Sequence, residues 1–317
     1  MAARSGERGA IDAGGLLKVL AAASALGTLG PVAALAYREG LEPATFSALR
    51  AGIGAAILGA LVVSRRQPSI GLARLASRQR ALLAVAVAVN GLMNLVLFFA
   101  FGAMAVGLVM IIFYCNPVLV ALLSAALGRE RLTPVRIVAL AIAGAGLALV
   151  LGSQLGPGAH ATAAGIALAG TAAACHALYL VTIRGGFDDV PGVQATSLVL
   201  AGGLAISGTA ALLIEGGGVV GEWLASPVAW AAILCAGTFG AALPKVWVIG
   251  GVRRIGSTRT AVAMLMEPVV AVVVAAVALG QELTEIELAG GSAILVAVVL
   301  AQLPPRTSPE RVAVEAG

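Results

Sequence analysis

Charge is scarce in this chain. Only 11% of its 317 residues are Asp, Glu, Lys or Arg, whereas an ordinary soluble domain carries about 25%. A soluble fold of this size needs a polar skin, and too few residues are present to make one. Cysteine is also thin. Cys115, Cys175 and Cys235 each lie inside an apolar run, and none sits in a CxxC or Cys/His spacing. That argues against a disulfide framework and against a zinc site. The two histidines, His160 and His176, are too few for a metal cluster. No phosphate loop, HExxH pair or nucleotide-binding domain is present, so neither a primary pump nor a zinc protease is read here. No metal and no cofactor is expected. Aromatic residues make up 4%, which does not favour an aromatic cage for large drugs.

Apolar residues, by contrast, abound. They are 60% of the chain, and the mean hydropathy is +1.02. That suffices for nine or ten helical spans of about 20 residues each. Asp, Glu, Lys and Arg are costly in hydrocarbon, so stretches without them mark membrane. Residues 19–37 form one such stretch and 51–64 a second, extended back past Arg50 to about Pro43. Residues 81–128 hold two spans with a turn near Gly102, and 137–183 two more, parted by GSQLGPGAHAT at 152–162. Residues 190–214 make a seventh. The eighth runs from Trp223 through Pro244 and Lys245 to about Gly251, the ninth from 257 to 279 with Glu267 inside, and the tenth lies between Glu287 and Arg306. The expectation is an all-α polytopic protein of ten transmembrane helices. The run from Leu16 is too long for a signal-peptide core and reads as a retained first span.

An even number of spans puts both termini on one side. With the N-terminus inside, 17 of the 20 basic residues fall on inner segments, while Glu39, Glu42, Glu215, Glu222, Glu282, Glu285 and Glu287 fall outside. This bias predicts cytoplasmic termini in a multi-pass protein of the cell membrane. The net charge of +5 is therefore read as topology rather than as nucleic-acid binding. The 41 glycines let helix backbones approach closely in lipid.

The chain also repeats itself. AVGLVMIIFYCNPVLVALLSAALGRERLT (105–133) matches GSTRTAVAMLMEPVVAVVVAAVALGQELT (256–284). Pro117 falls on Pro268 and Leu132-Thr133 on Leu283-Thr284, each 151 residues apart, and each copy ends in Gly-x-Glu at Gly128/Glu130 and Gly280/Glu282. An offset of five spans predicts opposite orientations of the two copies. Inverted repeats are a device of secondary transporters, with substrate near the midplane. Pro117, Pro268 and Pro244 are expected helix breaks that leave backbone carbonyls free near the centre; simple structural kinks are the alternative.

At these residues the chain resembles a ten-span member of the drug/metabolite transporter superfamily with two EamA-type domains. LPKVWVIGGVRRIGSTRTAVAMLMEPVV and NPVLVALLSAALGRERLTPVRIVALAIAGAG carry the resemblance, which extends from about Leu16 to Leu303. GLMN at 91–94 and the ALP-to-MEP segment are similar to the threonine/homoserine exporter branch. The text departs from the family in CHA at His176, where relatives often have CWA, and in Asn116 opposite Glu267. The resemblance implies a cytoplasmic tail (1–15), two repeats (16–152 and 162–303) and a second tail (304–317). It also implies a cavity among spans 1–4 and 6–9, with spans 5 and 10 peripheral, and export from the cytoplasm.

Three full charges lie within spans: Arg50, Lys245 and Glu267. Such residues mark functional sites by default. Lys245 lies roughly 7 Å inward of its span's centre at 1.5 Å per residue, within side-chain reach of Glu267. Each has a second reading: Lys245 and Glu267 as a structural ion pair, Arg50 as a residue snorkelling to the outer interface. In the functional reading, Glu267 takes a substrate ammonium or a coupling proton, and Lys245 or Arg50 meets a carboxylate. Asn90 and Asn94 share a helical face and, with Asn116, are candidates for substrate contact or interhelical hydrogen bonding. His176, three residues before Tyr179, reads as a packed histidine or a proton-linked cavity group. Tyr114, Trp247, Phe98, Phe99, Phe101 and Phe113 are candidates to wall a cavity.

The expected function is secondary active export of small metabolites, amino acids or related zwitterions and cations first, by alternating access. A multidrug or nucleoside-type carrier of the same fold, or a passive channel or flippase, is the alternative; a membrane enzyme is not expected. Expected partners are a small-molecule substrate and the lipid bilayer, with proton coupling left open, no nucleic acid, and the chain acting as monomer or homodimer.

Overall fold

A computed structural model describes residues 12–103, 106–130, 133–152, 161–216, 220–279 and 284–303. The terminal tails, most of the loop at 152–162, and Glu282 lie outside the described residues. The described residues form helices and turns with no strand. In order these are α1 (Ala13–Gly27), α2 (Leu29–Arg38), α3 (Pro43–Val63), α4 (Ser77–Ala103), α5 (Val106–Phe113), α6 (Asn116–Ala126) and α7 (Pro134–Gly152). They continue with α8 (Ala163–Gly186), α9 (Gly192–Ala210), α10 (Pro227–Gly237), α11 (Leu243–Ile255), α12 (Ser257–Met264), α13 (Met266–Leu279) and α14 (Glu285–Gln302).

Eight helical stretches among the described residues are long and apolar enough to cross a membrane. The expected first and ninth spans are each divided. The α1 and α2 segments meet at Thr28, and α12 and α13 meet at Leu265; none of these four segments reaches spanning length alone.

Polar residues start the helices where the sequence provides them. Asp12 accepts from Gly15 N–H at 2.8 Å, Thr162 from Gly165 N–H at 3.0 Å and Ser226 from Ala229 N–H at 3.2 Å. Thr284 and Glu287 close a capping box on α14. Each satisfies donors that a helix cannot bond internally. The α3 N-terminus borrows its cap from a distant residue: Ala44 N–H and Thr45 N–H donate to the Glu215 carboxylate at 2.6 and 2.9 Å. Outside the bilayer, the Arg254 guanidinium and the Gly15 N–H hold the Asp12 carboxyl below its ordinary range.

The prolines sit where helices restart. Pro117 and Pro244 are the second residues of α6 and α11, and Pro268 is the third of α13. A proline removes the hydrogen bond to the carbonyl four residues earlier. The carbonyl orphaned by Pro117 is that of Phe113, and Asn116 Nδ2 donates to it at 2.9 Å. The carbonyl four before Pro244 is that of Gly240, within the π-helical turn Thr238–Ala242. Arg50 Nη1 donates to it from α3 at 3.3 Å. The expectation of carbonyls left free at the centre is thus corrected for these two breaks: side chains occupy them, because an unpaired carbonyl in an apolar bundle is costly.

The halves interleave. The long α4 lies along α8 and α9; α5 and α6 pack on α8; α3 lies along α9 and against α10 and the π turn. From the other half, α11 and α13 pack on α1, and α10 packs on α2. The α7 and α14 helices pack chiefly on each other, through Ala139, Ala143, Gly146 and Val150 on one side and Gly290, Ile294, Ala297 and Ala301 on the other. Here the backbones touch: a Cβ on Gly290 would lie 2.6 Å from the Gly146 carbonyl oxygen. Gly290→Ala must therefore push the helices apart, at about 1–3 kcal/mol. The expected result is a lower melting temperature of the purified protein. Gly144→Ala, which meets nothing within 4 Å, is the control. Equal melting of the two variants would contradict this packing.

Candidate functional site

The middle of α4 carries Asn90 and Asn94, one turn apart. Asn94 Nδ2 donates to the Asn90 carbonyl at 2.7 Å, which fixes the amide and leaves its oxygen as an acceptor. Arg50 Nη2 donates to that Oδ1 at 3.1 Å from α3. Lys245 Nζ donates to Asn90 Oδ1 at 2.7 Å from α11, and also lies 5.5 Å from the centre of the Tyr179 ring on α8. Two amides on one helix face thus each hold one cation from a neighbouring helix. This arrangement decides two questions the sequence left open. Arg50 is only 9% exposed and points inward to Gly240 and Asn94, so it does not snorkel. Lys245 bonds to Asn90, and among the described residues no ion pair joins it to Glu267.

Glu267 stands in the first turn of α13, just past the break at Leu265. The Tyr114 side chain approaches its carboxyl, and the charges of Arg50 and Lys245 also act on it. Tyr114 occupies the equivalent break between α5 and α6, so the two broken helices face one another through this pair. Small residues permit the closeness on the other flank: a Cβ on Gly27 of α1 would lie 2.7 Å from the Glu267 carbonyl oxygen.

The remaining candidates divide. His176 stacks on Phe113, with ring centres 5.2 Å apart and planes 8° apart. Its Nδ1 and the Tyr179 hydroxyl are buried without a hydrogen-bond partner. Asn116 turns to its own helix break, where its Nδ2 donates to the Phe113 carbonyl. Trp247 packs, half-buried, on the main apolar core. The side chains of Phe98 and Phe101 lie outside the described residues, and the turn expected near Gly102 is not formed there, since α4 continues to Ala103.

One cluster was not among the candidates. At one end of the bundle, Glu130 Oε1 accepts from Ser257 N–H at 2.8 Å and Ser257 Oγ at 2.9 Å, at the first turn of α12. Arg136 and Arg184 reach the same carboxylate at 3.6 and 3.8 Å. Ser124 Oγ lies 2.9 Å from Ser257 Oγ beneath it. Arg129 donates to the Val181 and Arg184 carbonyls at the end of α8. A carboxylate at a helix N-terminus meets both unbonded N–H groups and the positive end of the dipole. Gly256 makes room: its φ of 97° suits glycine, and a Cβ there would lie 2.8 Å from Glu130 Oε1. The cluster ties α6, α8 and α12 into a closed end. Its sequence signal was the Gly-x-Glu that ends each repeat.

Residues 13–152 and 163–303 each match the EamA-like transporter family. A protein of known crystal structure, 22% identical, shares the fold with a TM-score of 0.77 over 93% of this chain and 99% of its own. No curated protein matches the chain in sequence. The two matched stretches cover most of the residues, and the helices within them supply several spans of membrane length. The chain belongs to the EamA-like transporter family, whose members are transporters rather than enzymes, and is a multi-pass membrane protein built from two such repeats.

Proposed function

We propose that the protein is a secondary active exporter of small metabolites, amino acids or related zwitterions and cations, working by alternating access around a mid-membrane site. One observation carries this reading: Arg50, Lys245 and Glu267, from three helices of both halves, gather around the Asn90–Asn94 pair and Tyr114. Buried charges of this kind cost about 2.5–3.5 kcal/mol each on insertion scales and mark functional sites by default. A substrate carboxylate meets the cations, and an ammonium or a proton meets Glu267.

The count of ten spans follows when α1–α2 and α12–α13 are each taken as one broken span, which puts both termini in the cytoplasm by the charge bias. Packing supports a two-fold relation between the halves, and the odd offset of five spans makes that relation inverted. Exchanging each span of one half for its counterpart turns the α4–α8 contact into that of α11 and α10 with α1 and α2. It likewise turns α5 and α6 on α8 into α12 and α13 on α1. The breaks at Tyr114 and Leu265 obey the same exchange, 151 residues apart. Two halves so related have two arrangements of similar energy. The Glu130 cluster lies on the arginine-rich side, where it joins the two halves.

A thermal-shift panel over amino acids and small cationic drugs tests the substrate class. Amino acids are expected to stabilise the purified protein, and Glu267→Gln to remove that stabilisation. Stabilisation by cationic drugs alone would overturn the amino-acid reading.

A further inference from the structure

The site holds three charges, and their sum is not zero. Counted at their ordinary ionisation, Arg50 and Lys245 are cationic and Glu267 is anionic, which leaves one positive charge over. A zwitterionic amino acid brings no net charge and leaves that excess in place. Uncompensated charge away from water is costly. A ligand with two carboxylates and one ammonium meets the three charges one for one.

The hydrogen bonds leave donors unused on both cations. Arg50 gives Nη1 to Gly240 and Nη2 to Asn94, while its buried Nε has no partner. Lys245 has three N–H donors, and one hydrogen bond, to Asn90, is formed. The two cations are separate, since each is held by a different amide one turn apart on α4. They also differ in duty. Arg50 completes the backbone at the Pro244 break, so its side chain belongs to the scaffold as well as to the site. Lys245 has no such backbone duty; it is half-buried and held by a side-chain amide and the Tyr179 ring. Lys245 is therefore free to act as a charge filter.

We infer that the site selects dicarboxylic amino acids, net monoanions, over neutral ones, and that Lys245, reading the second carboxylate, sets this selectivity. The inference rests on the proposed amino-acid site and deepens it.

The test uses the full-length protein in liposomes, with L-glutamate and L-glutamine as near-isosteric ligands that differ by one charge. Wild type is expected to prefer glutamate by about tenfold or more, and Lys245→Gln to cut the glutamate-to-glutamine affinity ratio by about tenfold, with Lys245→Arg restoring it. A wild-type preference for glutamine, or a ratio unmoved by Lys245→Gln, overturns the inference. The wild-type ratio needs no variant, so a misfolded Lys245→Gln does not shelter it. Glutamine binding that depends on Glu267, without glutamate binding, would leave the amino-acid site standing and sink the charge filter. Failure of every amino acid to bind would sink both.

Discussion

Glu267→Gln is expected to abolish export while the protein still inserts and folds. Glutamine has nearly the same shape, so it keeps the contact with Tyr114 and the neutral packing of the α13 turn. The close approach of Gly27 is to the Glu267 backbone, not to its side chain, so α1 keeps its seat. What the variant loses is the acid on which the charges of Arg50 and Lys245 act. A hydrogen bond to a charged group contributes about 1.5–3 kcal/mol, so substrate or proton affinity should fall by about tenfold or more. If the carboxylate also carries the coupling proton, driven accumulation disappears altogether. Uptake of labelled amino acid into liposomes, beside a size-exclusion profile matched to wild type, checks this. Export at the wild-type rate would remove Glu267 from the mechanism.

The second large effect is expected at the closed end. Glu130→Ala removes a carboxylate that caps α12 and sits among Arg136 and Arg184. Loss of a cap alone costs about 0.5–2 kcal/mol, and the ion pairs at 3.6 and 3.8 Å, partly exposed, add up to about 1 kcal/mol each. That cost falls on the closed arrangement, because the bond from Glu130 to Ser257 joins the two halves there. A shift of about 1.4 kcal/mol changes the ratio of two arrangements tenfold. Ser124 is fully buried beneath this cap. In a background lacking Cys115, Cys175 and Cys235, a Ser124→Cys probe should react with a cytoplasmic thiol reagent about tenfold faster when Glu130 is replaced, and net export should fall. Unchanged labelling would show that the cluster holds a helix end and not a gate.

Particular residues show how far the sequence could be read. Proline positions located the restarts of α6, α11 and α13, because the missing N–H is a local property. They did not reveal who takes the orphaned carbonyls. Asn116 does so from the adjacent position, but Arg50 does so across 190 residues, a separation no local pattern encodes. The spacing of Asn90 and Asn94 told that they share a face, and their charge partners followed only from how α3 and α11 lie on α4. Lys245 and Glu267 were close enough in depth to suggest an ion pair; depth along a helix says nothing of rotation, and Lys245 is turned to Asn90. The break at Thr28 escaped notice, although Pro31, the third residue of α2, stands where Pro268 stands in α13. Glu130 was visible as a repeated motif, but its partner Ser257 comes from the other half of the chain.

The most direct measurement of the central claim is counterflow in liposomes holding the purified protein. A load of unlabelled amino acid on one side should accelerate entry of the same labelled amino acid from the other, with saturation, and Glu267→Gln should show neither. Flux that rises linearly with concentration, indifferent to substrate on the far side, would describe a channel and contradict an alternating site.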